Sequence, residues 1–255
     1  MRVTILGLGE AGRIYGQDLA KAGNEVVGFD VRDVAPLEGI TTAGSIPDAV
    51  AGSDLVLSFT TAAGAAAAAD AAAGHLADGA VFADLNAASP ARKVDVASRL
   101  GQTRFADVAV LAPVARAGAR TPVLVSGSGA ERYLELLGPL GGEIEVVSAT
   151  VGDASSRKLI RSVFMKALAT SVLESLAAAR IAGCEEWARG QIVGEMGSNA
   201  EALVERLVTG TYQHAERRLH EMEDTASYLE ELGAHADMTR GSIAWLDGVR
   251  TGSRR

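Results

Sequence analysis

Short apolar, β-branched runs alternate with helix-like stretches up to about residue 150, and beyond Gly152 the strand-like runs almost vanish. Val3-Thr4-Ile5-Leu6 predicts a buried first strand, and Arg13 to Ala22 predicts a helix that Gly23 stops. Further strands are expected at Glu25 to Phe29, Thr41-Thr42, Leu55 to Phe59, Val81 to Asp84, Phe105 to Val110, Val123 to Ser126 and Glu143 to Val147. Ser45 ahead of Ile46-Pro47, and Ser89 ahead of Pro90, predict capped helix starts. Such alternation is the signature of a doubly wound parallel sheet covered on both faces. Stretches 155–183, 185–209, 211–232 and 235–248 predict helices broken at Gly183, Gly210 and Gly233. The expected fold is an α/β, Rossmann-type domain over residues 1–151 followed by an all-α domain over 152–255.

Where the first strand meets the first helix, Gly7-Leu8-Gly9-Glu10-Ala11-Gly12 carries the G-x-G-x-x-G spacing. Gly7 permits the tight turn, Gly9 lets backbone approach a pyrophosphate, and Gly12 lets helix pack on strand. The helix beginning there points free N–H groups at the phosphates. The pattern alone is weak, since an ordinary βα turn has similar glycines. Context strengthens it, because the second strand ends on Asp30, 18 residues after Gly12, near the ~20 at which a carboxylate reaches the adenosine ribose. Asp30 repels a 2′-phosphate and favours NAD, while Arg32 offers a clamp for NADP, and the balance leans to NAD. In open α/β sheets ligands bind at the carboxyl ends of strands, where Thr60, Thr61, Asn86, Ser89 and the loop after Asp107 fall. Singly each Thr, Asn or Ser there is better explained by a cap or a turn. Together, on one rim, they favour a site.

Composition narrows the partners. The net charge of −8 over 255 residues argues against nucleic acid or an anionic membrane as the main partner. Hydrophobic residues at 48% and charged residues at 22% describe a soluble globular chain. Cys184 is the single cysteine and reads as a small buried thiol in a reducing compartment. No signal peptide is visible, so a cytoplasmic location is expected. The run Ala62 to Ala73 is too short to span a membrane and reads as an alanine-rich helix on the sheet.

Two clusters stand out in the helical half. Lys158, Arg161, Ser162 and Met165 share one helical face, and two cations a turn apart on an otherwise apolar helix are costly to bury without an anion or a function. Partial burial and a like-charged neighbour prepare a lysine to exchange a proton near neutral pH, the alternative being a solvated helix edge. His214, Arg217, Arg218 and Glu221 share another face, where a salt-bridge-laced surface competes with ligand binding. No metal-ligand spacing occurs.

With Asp84-Leu85-Asn86-Ala87-Ala88-Ser89-Pro90, Asp107-Val108-Ala109-Val110, the segment Gly152 to Ser162 and the stretch His214 to Met222, the glycine turn follows an order and spacing that covers essentially the whole chain. The chain resembles the β-hydroxyacid dehydrogenase and 6-phosphogluconate dehydrogenase superfamily, in its phosphogluconate dehydrogenase-like branch with a distinct C-terminal domain. That resemblance implies a Rossmann-type domain binding NAD or NADP, a helical domain used for homodimerisation, and Lys158 as general acid/base in hydride transfer on a small anionic hydroxyacid or related carbonyl compound. Asn86 and Ser89 on the rim, Arg161 beside Lys158, and His214 and Arg218 of the second cluster are the candidate substrate contacts. Two departures matter. The glycine-rich substrate loop of the superfamily is replaced by Asp107 to Pro113, and the asparagine expected one turn past the lysine is Arg161, so a common small hydroxyacid is not the expected substrate. An imine reductase-like activity and a non-catalytic dinucleotide-binding module are the alternatives.

Overall fold

The computed structural model describes residues 1–61, 63–181, 183–197, 200–231 and 236–254. From the amino end, β1 (Arg2–Leu6), α1 (Glu10–Lys21), β2 (Glu25–Phe29), β3 (Ile40–Thr42) and α2 (Ile46–Val50) form the first half of the sheet with its helices. The second half continues through β4 (Leu55–Ser58), α3 (Gly64–Ala72), β5 (Val81–Asp84), α4 (Pro90–Arg99) and β6 (Arg104–Val110). These six strands are parallel and lie in the order β3-β2-β1-β4-β5-β6, which reverses direction of growth between β1 and β4. That is the strand order of dinucleotide-binding sheets, whose ligand crevice opens at the reversal.

A wholly parallel sheet is not what forms. After α5 (Val114–Ala117) and a 3₁₀ turn at Gly118–Arg120, β7 (Val123–Ser126) returns antiparallel to β6, and β8 (Ile144–Ser148), reached through α6 (Ala130–Leu137), pairs parallel to β7. The Leu111 N–H donates to Pro122 O (2.9 Å), which turns the chain back beside β6. On α1, Asp18 accepts from the Ala119 N–H (3.0 Å) and ties the connection down there. Antiparallel neighbours need no full crossover helix, so a short segment suffices.

Alternate residues of the central strands face opposite sides. Val3, Ile5, Leu55, Leu57, Val81 and Ala83 fill one layer, and Leu6, Val56, Phe82 and Phe105 the other. Because β4 and β5 are covered on both faces, all four residues of each are buried, which is why they read as apolar runs without alternation.

Two compact units divide the chain, Met1–Lys158 and Leu159–Arg255. The 29-residue α7 (Asp153–Ile181) starts in the first and continues into the second. There it is followed by α8 (Glu185–Met196), α9 (Ala200–Gln213), α10 (Ala215–Glu231) and α11 (Asp237–Arg250). Ala169, Val172, Leu176, Ala188, Val204 and Leu207 form one core of this unit, and Leu219, Met222 and Leu246 another. No helix among the described residues is long and apolar enough to cross a membrane.

Two expected boundaries are corrected. The stretch 185–209 is not one helix, because α8 stops at Met196 and the next residue, Gly197, takes φ +81°, a backbone conformation outside the helix that side chains rarely adopt. Gly210 instead lies inside α9, where the Arg218 guanidinium crosses it: a Cβ there would stand 3.1 Å from Arg218 Nη2. The expected break at Gly233 lies outside the described residues.

Candidate dinucleotide and proton-transfer site

The glycine turn excludes side chains where it must and opens where a ligand needs room. Gly7 has φ +93°, and a Cβ on it would lie 2.4 Å from Phe59 O. A Cβ on Gly12 would lie 1.9 Å from Gly7 O, so this residue packs the helix start directly onto the turn. For that reason α1 begins at Glu10 and not at Arg13, with Gly9 as N-cap. Nothing lies within 4 Å of a Cβ on Gly9, and no side chain caps the helix. The first-turn amides of Glu10, Ala11 and Gly12 are therefore available to an anion, and the residues fit a pyrophosphate.

Asp30, just past β2, braces this turn. Its Oδ2 accepts from the Leu8 N–H (2.8 Å), and its Oδ1 accepts from the Arg32 backbone N–H (3.0 Å) and Nε (3.1 Å). Burial works to raise the Asp30 carboxyl, but hydrogen bonds from the Arg32 side chain and backbone and from Leu8, with the Arg32 charge, prevail and hold it below the ordinary aspartate value. The Asp30 side chain is only 6% exposed whereas that of Arg32 is 71% exposed, so the guanidinium is the partner that faces solvent.

At the ends of β4 and β5 the rim residues meet in part. The Asn86 amide nitrogen donates toward Asp84 Oδ1 (2.5 Å), Ser58 Oγ (3.2 Å) and Thr60 Oγ1 (3.2 Å). With the nitrogen so engaged, the carbonyl oxygen is the group Asn86 has to offer a ligand. Thr61 is exposed and its Oγ1 accepts from the Gly64 N–H (3.0 Å), ahead of α3. Ser89 is the N-cap of α4, accepting from the Arg92 N–H (3.4 Å), which gives it a structural task in this conformation. A cleft lined by Ser53, Asp54, Arg104, Arg132 and Glu135 opens at the other, amino, end of the strands and holds none of these residues.

The start of α7 is tied to the same rim. A Cβ on Gly152 would stand 2.9 Å from Pro90 Cβ, so the chain passes closely over the start of α4 just before the helix begins. Asp107 then accepts from the Ser155 N–H (3.0 Å) and Ser155 Oγ (2.6 Å), and Ser126 Oγ, which also bonds Asp107 (3.3 Å), accepts from the Ala154 N–H (3.0 Å). Lys158 follows Ser155 by about one turn and is half-buried.

Sequence reasoning missed the residue at the centre of this arrangement. Lys93 is fully buried and reaches Asp84 O (2.7 Å), Asp84 Oδ2 (3.2 Å) and Asp107 Oδ1 (3.4 Å). The available signal was its place on α4, where Lys93, Val96 and Leu100 fall at helical spacing on one buried stripe. A cation on an apolar stripe asks for a buried anion.

The remaining candidates belong to the second unit. Arg161 is exposed on α7 while Ser162 beside it is buried. His214 is exposed and precedes α10, so it does not share a helical face with the arginines, and its carbonyl accepts from the Arg218 N–H (3.0 Å). Arg217 pairs with Glu221, which also binds Lys166 (2.8 Å). Arg218 instead turns to donate to Thr211 Oγ1, and burial together with Arg217 and Arg206 lowers its pKa from the ordinary arginine value against the opposing pull of Glu221. Among the described residues no group of acidic, histidine or cysteine side chains is arranged to hold a metal.

Comparison with known proteins bears out the fold and the family. A conserved hypothetical protein from Sinorhizobium meliloti 1021 is 30% identical, with 97% of this chain and 88% of that chain covered at a TM-score of 0.77. An uncharacterized 28.5 kDa protein from Methanothermus fervidus is 27% identical over 227 residues, which is 87% of this chain and 88% of that protein. A 3-hydroxyisobutyrate dehydrogenase from Salmonella typhimurium shares the fold at 18% identity and a TM-score of 0.81, with 100% and 96% of the two chains covered. Residues 179–249 match a domain of unknown function, DUF1932. Residues 2–148 match the NAD binding domain of 6-phosphogluconate dehydrogenase, and the chain belongs to that family of NAD(P)-binding proteins.

Proposed function

We propose that the protein is an NAD(P)-dependent oxidoreductase acting on a small anionic hydroxyacid or a related carbonyl compound, with NAD the favoured cofactor. The observation that carries this reading is the bonding of Asp107 to Ser155, which holds the first turn of α7, one turn before Lys158, against the strand ends where Asn86 and Thr60 stand. When bound, the nicotinamide accepts or gives the hydride. Lys158 takes the substrate hydroxyl proton during oxidation and returns it during reduction. Asn86 orients ligand donors through its carbonyl oxygen. The amides of Glu10, Ala11 and Gly12 hold the pyrophosphate, and Asp30 meets the adenosine ribose and disfavours a 2′-phosphate. Arg161, exposed on α7, offers its guanidinium to a carboxylate or phosphate of the substrate.

The helical unit offers a surface for a second copy of the chain, since Ile160 and Phe164 are 52% and 65% exposed one turn apart on α7. A second reading, a dinucleotide-binding module without catalysis, draws support from Asp107 to Pro113, the end of β6 and the residues after it, which lack the glycines of the superfamily's substrate loop. One experiment separates the two. Hydride transfer is followed by nicotinamide absorbance over a panel of hydroxyacids, phosphosugar acids and cyclic imines, beside direct titration of NADH and NADPH. Dinucleotide binding with no turnover on any of them would favour the module, and turnover on imines alone would redirect the substrate class.

A further inference from the structure

We propose that Lys93 is a positioning residue for this site: its buried ammonium locks Asn86 and the first turn of α7, and through that turn Lys158, into one assembly. The roles of Asn86 and Lys158 rest on the oxidoreductase reading above.

The argument starts from register. Ser58, Asp84, Asp107 and Ser126 are successive partners across β4, β5, β6 and β7, and each is 0% exposed. Two carboxylates side by side in a dry sheet repel, and neither finds water. Lys93 enters from α4, at the head of the stripe that Val96 and Leu100 continue; its ammonium donates to Asp84 O and lies at ion-pair distance from Asp84 Oδ2 and Asp107 Oδ1. Asp84 Oδ2 accepts no hydrogen bond, so the ion pair with Lys93 is its compensation.

One cation against two carboxylates leaves one negative charge, and the bonds that absorb it lead toward the site. On Asp84 they come from the Asn86 backbone N–H (3.1 Å) and amide (2.5 Å). On Asp107 they come from Ser155, the third residue of α7, so that a strand-borne carboxylate sits at the positive end of the helix. A buried ion pair is weak evidence for stability, because well-packed apolar side chains of similar volume often do as well. What the charges add here is direction. The three Lys93 contacts hold together only when the ends of β5 and β6 and the start of α4 keep their mutual places, and the bonds from the two carboxylates then fix Asn86 on one side and Ser155 on the other.

A double-mutant cycle on the full chain tests this. The probe is trinitrobenzenesulfonate labelling of Lys158, read by peptide mass spectrometry, with exposed Lys21 as control and NADH affinity measured by fluorescence. Lys93→Met and Ser155→Ala should each shift the Lys158 labelling rate about threefold or more, and the double variant no further than the larger single shift, because both act through Asp107. NADH affinity should fall in Lys93→Met, which also frees Asn86, and stay at the wild-type value in Ser155→Ala. Additive shifts in the cycle, or a folded Lys93→Met with wild-type labelling and wild-type NADH affinity, overturn the proposal. If Lys93→Met does not fold, Lys93→Met with Asp84→Asn, measured against Asp84→Asn alone, leaves a single buried carboxylate and takes its place in the cycle. Labelling needs no substrate, so a failed search for turnover would sink the oxidoreductase reading while the cycle still decides the role of Lys93.

Discussion

Lys93 Nζ lies 3.4 Å from Asp107 Oδ1, and neither side chain has any exposed surface. On the same helix Arg99 pairs with Asp95 (3.1 Å) and Asp70 (2.7 Å), yet these side chains are 33%, 53% and 56% exposed. Breaking the first pair strands buried carboxylates, whereas breaking the second returns charges to water. Lys93→Met should therefore cost about 3–5 kcal/mol of stability, and Arg99→Ala less than about 1 kcal/mol. Urea unfolding of the two variants beside wild type reads the difference, and equal midpoints would mean that the buried pair is already compensated by its other hydrogen bonds.

The turn glycines separate binding from folding. Gly9→Ala places its methyl in open space within the protein, so melting should hardly change, while dinucleotide affinity falls because the methyl occupies the approach to the phosphates. Gly12→Ala drives a methyl into Gly7 O and should lower the melting temperature as well. Thermal melts and NADH titration on both variants check this, and equal melting losses would remove the distinction.

Much of this was legible in the chain because each element carries its own signals. The strand ending at Asp30, the caps at Ser45 and Ser89 and the glycine turn all rest on local chemistry, and they form where the residues place them. The antiparallel β7 was not legible, because an apolar four-residue strand reads the same in either direction. Gly210 misled for a related reason: glycine marks a helix end or a close approach, and only the Arg218 side chain lying over it decides which. The Asp84, Lys93 and Asp107 cluster joins two strands and a helix, and no short-range pattern shows that two strand-end carboxylates are register partners.

Asp30 gives the fold a defined acid sensitivity. Its carboxyl is held below the ordinary aspartate value, so its contribution to stability is fully present above about pH 4 and is lost as pH falls through the lowered value. The melting difference between wild type and Asp30→Asn should be largest near neutrality and shrink in acid below about pH 4. The same residue bears on cofactor choice. Arg32→Ala removes the charge that neutralises Asp30 and should increase the preference for NAD over NADP, measured by paired titrations. Wild-type binding of NADP about tenfold tighter than NAD would show that Arg32, and not Asp30, governs the choice.

Assembly is the fourth expectation. With Ile160 and Phe164 exposed together on α7, the chain should sediment and scatter light as a two-fold dimer, and Phe164→Glu should weaken it by placing a charge on the apolar patch. A wild-type monomer at micromolar concentration would sink this expectation, and with it any site shared between subunits.

Lys158 carries the most exposed claim about chemistry. As the acid/base it meets substrate and not the adenosine half of the dinucleotide, so Lys158→Met should leave NADH affinity nearly unchanged while turnover falls by about 10²–10⁴-fold. Lys158→Arg should not restore turnover, because a guanidinium does not release its proton near neutral pH. Arg161, exposed one turn further on, has a different signature: Arg161→Ala should raise KM for an anionic substrate and spare more of kcat, since it removes binding rather than proton transfer. If Lys158→Met keeps more than about a tenth of wild-type turnover on a true substrate, the usual worth of a positioned proton-transfer group is missing, and the lysine is structural. The proton would then have to come from another group, and His214, exposed just ahead of α10, is the first to test by substitution with glutamine.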